Sequence, residues 1–321
     1  MEKTPLVSVI IITYNHEKYI RQALESVLQQ TMLSDVEILI GDDASTDGTR
    51  KVIEKYCQRG PERLKGIYRE KNIGASANLY DLLKRARAPY IAFLEGDDYW
   101  LDSEKLQKQY TFLQKHPNYI GCTHECEFVD ENGEKWTGKP LEWISRKREF
   151  GLKESKGFYL SGQIGTLFCQ NIFEKSGDRY GVIETAHPLI SDRTVQMVLA
   201  LEGEMYRLPD VMSAYRRNSN ENGNNATAEC FDKNKHSAYD NFVLTCILEK
   251  YAREYTGNPN VKFFFTREMF FTSAVYQWIS GRTPELLRDI KKILQVEKGQ
   301  NWRYFLFLPI GILYKLIRKL R

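Results

Sequence analysis

Tyr90–Trp100 reads YIAFLEGDDYW. Tyr90 to Leu94 is a short apolar run with aromatic and β-branched members, the pattern of a buried strand, and Glu95-Gly96-Asp97-Asp98 follows where that strand should end. Adjacent carboxylates at a strand end raise one another's proton affinity, and burial adds to this unless a cation or a ligand's donors compensate. A hard divalent ion, Mg2+ or Mn2+, is the natural compensator, because such ions take oxygen ligands and bind through one or two carboxylates plus substrate phosphates. A solvated Asp-Gly turn is the bland alternative. The segments upstream decide between the two.

Leu6–Ile12 (LVSVIII) is a continuous apolar, β-branched run, as expected of a strand buried on both faces, and Thr13-Tyr14-Asn15 ends it. Helical spacing follows over Tyr19–Gln30, with Ile20, Ala23, Leu24, Val27 and Leu28 in phase. Val36–Ile40 (VEILI) is a second strand, ending in Gly41-Asp42-Asp43-Ala44-Ser45-Thr46-Asp47-Gly48-Thr49, where Ser45 or Thr46 can cap a helix through Val52, Ile53 and Tyr56. Ile67-Tyr68-Arg69 reads as a third strand, and Asn72-Ile73-Gly74 turns into a helix over Ser76–Arg87. The alternation predicts an α/β fold with a doubly wound, mostly parallel sheet flanked by helices. Right-handed crossovers then bring Thr13-Tyr14-Asn15, Asp42-Asp43 and Asp97-Asp98 to one edge of the sheet, where ligands bind in such folds. The first strand-to-helix turn lacks G-x-G-x-x-G, and no Walker A sequence is present, which argues against a dinucleotide dehydrogenase and a P-loop enzyme.

Val7–Asn15, the Asp42–Thr49 box, Asn72-x-Gly74 and Leu94-Glu-Gly-Asp-Asp98 together resemble the family 2 glycosyltransferases of the GT-A fold. The match is in register across the first half of the chain and continues more weakly to about Asn220. The resemblance implies a nucleotide-sugar donor, read as a UDP-sugar. Asp43 would hold the base, Tyr14 would stack near it between Thr13 and Asn15, Asn72 would lie beside the donor, Asp97 would reach the ribose, and Asp98 would bind the metal that bridges the diphosphate.

Downstream, Leu101–Lys115 is predicted as a helix capped by Asp102 or Ser103, and Tyr119–Val129 as a strand. Glu134–Lys156 is polar and aperiodic, and is read as the surface that shapes the acceptor site. Gly157–Phe173 reads as strand, turn, strand, and Glu204–Tyr215 as a closing strand pair. Pro188–Leu201 becomes an amphipathic helix with Asp192 at its N-terminus, where a plain helix cap is the bland alternative. In the family an acidic residue at such a helix head is the general base for the acceptor hydroxyl. Asp192 takes that role ahead of Glu184 or Asp178, and implies in-line displacement with inversion. Arg216 or Arg217 is assigned to the departing diphosphate by guanidinium chemistry. Relatives often place a histidine where this chain has Asn218, which leaves a third metal ligand in doubt. The Asn- and Gly-rich Asn218–Ala228 reads as a lid.

These readings divide the chain into a GT-A domain over 1–225, with a nucleotide-sugar half (1–130) and an acceptor half (131–225), and a C-terminal helical extension over 226–321. The tail, 302–321, is apolar but broken by Pro309 and Gly311, too short to span a bilayer, and carries Arg303, Lys315, Arg318, Lys319 and Arg321 without an acid. It reads as a basic amphipathic contact with an anionic membrane surface, a docked helix being the alternative.

The 321 residues carry a net charge of +4 concentrated in that tail, which argues against a general nucleic-acid binder. The six cysteines show no paired spacing, and Cys122-Thr-His124-Glu-Cys126 is read as core packing rather than a metal cluster. No secretory signal opens the sequence, so the expected location is the cytoplasm, peripheral on the inner face of the membrane, with oligomerisation left open. The expected activity is metal-dependent, inverting transfer of a sugar to a glycan or lipid-linked glycan acceptor in cell-surface polysaccharide synthesis. A catalytically silent GT-A-fold binding protein and a nucleotidyltransferase are the rivals. The latter usually needs a Gly-rich basic loop after the first strand, which Thr13–Lys18 does not offer.

Overall fold

The computed structural model describes residues 4–60, 62–137, 147–155, 164–173, 178–217, 237–281, 284–296, 304–309 and 312. The expected lid at Asn218–Ala228, Asn218 itself, the middle of the expected acceptor segment, the first strand expected after Gly157 and most of the basic tail lie outside these residues. Two compact units divide the chain: Met1–Ser155 with Tyr159–Ser219, and Lys156–Phe158 with Asn220–Arg321.

The first unit opens with β1 (Val7–Thr13), α1 (Ile20–Leu28), β2 (Val36–Asp42), α2 (Thr49–Arg59), β3 (Leu64–Tyr68), α3 (Ala75–Arg85) and β4 (Tyr90–Glu95). It continues through β5 (Tyr99–Trp100), α4 (Lys105–Lys115), β6 (Tyr119–Val129), β7 (Glu149–Phe150), α5 (Leu152–Ser155), a 3-10 turn at Ile164–Thr166, β8 (Phe168–Gln170), α6 (Val182–Thr185), α7 (Asp192–Glu202) and β9 (Glu204–Arg216). Among the described residues the strands form one sheet in the order β3-β2-β1-β4-β8-β6-β9-β5, with β7 on β9. The alternating first part of the sequence makes the parallel part of the sheet: β1 pairs in parallel with β2 and β4, and β2 with β3. The later part is mixed, with β8 antiparallel to β4 and β6 while β6 and β9 run parallel.

Val7, Val9 and Ile11 of β1 and Ile38 and Ile40 of β2 are fully buried with Ile20, Leu24 and Val27 of α1. Each such side chain contributes about 1.5–3 kcal/mol by leaving water. The polar Glu37 is tolerated inside β2 because its carboxylate accepts bonds from Ser8 Oγ (2.7 Å) and from Arg87 N (2.7 Å) and Nε (2.9 Å).

Two local expectations need correction. Ser45 and Thr46 do not cap α2: Ser45 Oγ accepts Asn15 N–H at 2.9 Å, and Thr46 N–H donates to Asn15 Oδ1 at 2.8 Å. Asp47 takes over, its Oδ1 accepting Thr49 N–H at 3.0 Å. Glu204–Tyr215 is not a strand pair but belongs to one long strand, β9. Its register on β6 jumps from Leu208 to Val211 around Pro209, which has no N–H to give the ladder and therefore sits in an irregularity.

The second unit packs α8 (Ser237–Thr256), α9 (Phe264–Gly281) and α10 (Pro284–Val296) around Phe242, Phe271, Ala274 and Ile293. Tyr304, at the start of the tail, is fully buried in that cluster, whereas Phe305 and Leu306 are exposed. Among the described residues no helix is long and apolar enough to cross a membrane.

Candidate active site

The parallel register sets the ends of three strands level. Thr13 lies opposite Asp42, and Ile12 lies opposite both Gly41 and Glu95. The backbone then leaves the sheet abruptly at each end. Asn15 (φ 55°) and Ala44 (φ 61°) both adopt the left-handed conformation that non-glycine residues rarely take, a strain that clusters at functional sites. The turn after β4 brings Asp98 N–H back to Glu95 O at 3.0 Å, which tucks both aspartates of the YIAFLEGDDYW stretch under the sheet edge, 6% and 3% exposed. Gly96 is required there, since a Cβ would stand 2.7 Å from Thr13 Oγ1 and 2.9 Å from His16 Nδ1.

Four acids gather around this turn. Burial first, then Asp97 and Asp192, push the Glu95 carboxyl up to about 8. Burial, Asp97 and Glu95 likewise raise Asp98 well above the ordinary carboxylate range, against the lowering effect of Arg216. Asp192, at the first position of α7, is raised by burial while Arg193 pulls it down, and its Oδ1 accepts Arg193 N–H at 2.8 Å. A helix-borne acid about a hundred residues away in sequence thus belongs electrostatically to the β4 cluster. Glu184 and Asp178 do not: both are exposed and act on Tyr80 of α3.

Other expected residues fall into distinct places. Tyr14 is 38% exposed and free to stack on a ligand. Thr13 is buried, with Oγ1 packed against Gly96 and without a hydrogen-bond partner among the described residues, and its carbonyl accepts Asp43 N–H at 3.0 Å. Asn15 ties the β1 turn to the Asp42 box. Asp43 Oδ1 accepts Ile73 N–H at 2.8 Å and Oδ2 accepts Gly74 N–H at 2.9 Å, so the carboxylate fixes the Asn72–Gly74 turn and keeps a second lone pair on each oxygen for a ligand. Asn72 is exposed, with Oδ1 turned back to Gly74 N–H at 3.1 Å. Gly74 has φ 90°, and two residues on Ser76 N–H donates to Pro188 O at 3.0 Å, linking this turn to the segment that leads into α7.

The reading of Arg216 as a diphosphate ligand does not survive. It is 2% exposed, and its guanidinium donates to Asp97 O (2.9 Å), Asp130 O (3.0 Å), Glu131 O (3.1 Å) and Gln22 Oε1 (2.8 Å) over the Tyr19 ring. Its backbone N–H donates to Asp98 Oδ1 at 2.8 Å. Arg216 is a clamp that locks β9 to the Asp97-Asp98 turn. Arg216→Lys removes the fork that reaches these acceptors and is expected to cost about 3 kcal/mol of stability in urea unfolding, the scale of breaking a buried charged network. A phosphate ligand would leave stability near wild type and weaken donor binding instead. Arg217 lies over the Trp136 ring at 5.2 Å.

Sequence reasoning missed Glu95, which stood inside the quoted stretch, and His16, whose Nε2 lies 4.0 Å from Asp97 Oδ2. It also missed Arg193, which burial lowers to about 10 beside Asp192.

The residues present suit a divalent cation. A buried aspartate with raised proton affinity, one oxygen engaged by a backbone N–H and the other open to further bonding, is a carboxylate in want of positive charge. Among the described residues no group of three or more His, Cys, Asp or Glu is placed to hold an ion.

Residues 8–175 match the family model described as Glycosyl transferase family 2. The uncharacterized protein Mb1547 of Mycobacterium bovis is 34% identical over 215 residues, 66% of this chain and 59% of that protein, so the chain spans about three-fifths of its length. The putative teichuronic acid biosynthesis glycosyltransferase TuaG of Bacillus subtilis is 42% identical over 111 residues, 35% of this chain and 43% of its own. Among solved structures, S. aureus TarS 1-349 in complex with UDP-GlcNAc superposes with a TM-score of 0.61 at 20% identity, covering 90% of this chain and 79% of that one.

Proposed function

The chain belongs to glycosyl transferase family 2, and from that premise we propose that it moves a sugar from a UDP-sugar onto a hydroxyl of a glycan or lipid-linked glycan, with inversion, in cell-surface polysaccharide synthesis. The observation that carries this reading is that Asp192 acts on Glu95, which with Asp97 acts on Asp98, beside the level ends of β1, β2 and β4. TarS in complex with UDP-GlcNAc supports the choice of donor, and TuaG the class of acceptor.

In this mechanism Asp43 and Tyr14 receive the base, Asp97 the ribose, and Asp98 holds a divalent cation, Mn2+ or Mg2+, which when bound offsets negative charge on the leaving diphosphate. Asp192 accepts the proton of the acceptor hydroxyl as its oxygen attacks the anomeric carbon. The bond between that carbon and the diphosphate oxygen breaks, the electron pair leaves with the nucleoside diphosphate, and Arg217 meets its charge.

A panel of nucleotide sugars incubated with the full chain and Mg2+ or Mn2+, read by release of nucleoside diphosphate, tests the reading. UDP-sugars are expected to give turnover that rises with added glycan acceptor. Absence of release from every donor would overturn it.

A further inference from the structure

Lys105 opens α4 and is fully buried. Lysine is seldom buried unless paired, because its ammonium loses hydration that only strong partners replace. Asp102 acts on it from a distance but pairs with Lys108 Nζ at 2.6 Å instead. The Lys105 ammonium has two near neighbours: Gln109 Oε1, to which it donates at 2.7 Å, and the Trp100 ring, whose centre lies 4.2 Å from Nζ. The buried Cys122 thiol and the buried, neutral His124 face it from β6.

Both near neighbours carry a backbone load. Donation to Oε1 settles which end of the Gln109 amide accepts, so Nε2 points the other way and donates to Thr166 O at 3.0 Å and Cys122 O at 3.4 Å. Trp100, held under the cation by its ring face, donates Nε1–H to Gly165 O at 3.2 Å. The suspended Gly165–Thr166 backbone lies against the carboxylate turn: a side chain on Gly165 would meet Asp98 Oδ2 at 3.6 Å and Glu95 N at 3.9 Å. Burial lowers Lys105 to about 7, and the groups nearest its Nζ are the ring and the amide rather than a counter-ion.

We propose that Lys105 is a positioning residue for Asp98, holding the Gly165–Thr166 backbone beneath its carboxylate through Trp100 and Gln109. The inference rests on the reading of Asp98 as the ligand of a divalent cation. Its signature is the coupling between metal and diphosphate, separate from folding.

The test is calorimetric titration of UDP into the full chain with and without MnCl2, alongside urea unfolding, for wild type, Lys105→Met and Trp100→Phe. Lys105→Met removes a buried charge that has no ionic partner and is expected to unfold at the same or higher urea. It should nonetheless lose about tenfold of the tightening that Mn2+ gives to UDP binding, the scale on which groups behind a metal ligand act, while metal-free UDP affinity stays near wild type. A Lys105→Met protein with the full wild-type metal effect overturns the inference and leaves the role of Asp98 standing. If Mn2+ does not tighten UDP binding in wild type, the metal reading of Asp98 falls and takes the inference with it. Where Lys105→Met is itself destabilised, Trp100→Phe decides, since it keeps an aromatic ring under the ammonium while deleting the Nε1–H along with part of the indole. A reduced metal effect in that variant supports the inference, and an unchanged one overturns it.

Discussion

Asp98→Asn is expected to lower nucleoside diphosphate release by about 10³-fold or more, a loss of a few kcal/mol of charge stabilisation at the leaving group. The substitution is nearly isosteric. Its amide oxygen still accepts the Arg216 backbone N–H that Asp98 Oδ1 now takes at 2.8 Å, so the clamp between β9 and the turn is retained. What disappears is a negative charge that burial, Asp97 and Glu95 all disfavour. Folding therefore gains from the change, and unfolding in urea should shift to equal or higher denaturant. Loss of turnover without loss of stability separates a binding carboxylate from a structural one. Calorimetry with UDP should show that added Mn2+ no longer tightens binding. Wild-type turnover in this variant would leave the Asp98 carboxylate without a part in the reaction.

The parallel half of the fold was legible because its signals are local. LVSVIII and VEILI are fully apolar apart from Ser8 and Glu37, and the Asp42 box and Asp97-Asp98 fall where those runs stop. What the sequence hid depends on partners far along the chain. Ser45 and Thr46 have good capping chemistry, but Asn15, thirty residues earlier, claims both. Arg216 has the right charge for a diphosphate, yet its donors are taken by groups on α1, the β4–β5 turn and the segment after β6, and no periodicity reports that. Tyr99–Trp100 forms a strand too short to have a period. Lys105 sits at a helix position where any reading by type would place it in water, and burial there is set by Trp100, Gln109 and Thr166. Asp192 could be favoured over Glu184 and Asp178 only by analogy. The structure separates them by charge: Asp192 acts on Glu95, and the other two on Tyr80.

That separation gives the sharpest expectation for the chemical step. A general base contributes about 10²–10⁴-fold, so Asp192→Asn should reduce kcat for transfer on that scale while leaving UDP affinity and its dependence on Mn2+ near wild type. The pH dependence carries a sign of its own. Asp192 accepts a proton only when ionised, and burial raises its proton affinity above the ordinary value of 3.8. The wild-type rate should accordingly be high above that raised value and fall as pH drops through it, at a higher pH than an exposed aspartate would give. Asp192→Glu keeps the acid limb at a reduced rate because the carboxylate is displaced by one methylene, whereas the residual rate of Asp192→Asn should lack the limb. Stability runs the opposite way. A raised folded-state value means that the folded protein holds the proton more tightly than the unfolded chain, so this group favours folding at low pH and loses that contribution as pH rises through the folded value. Asp192→Asn is therefore expected to be relatively more stable at pH 8 than at pH 4, so that activity and stability move in opposite directions in one variant. An Asp192→Asn enzyme that transfers sugar at the wild-type rate with its acid limb intact would move the base to another residue and undo the inverting assignment built on α7.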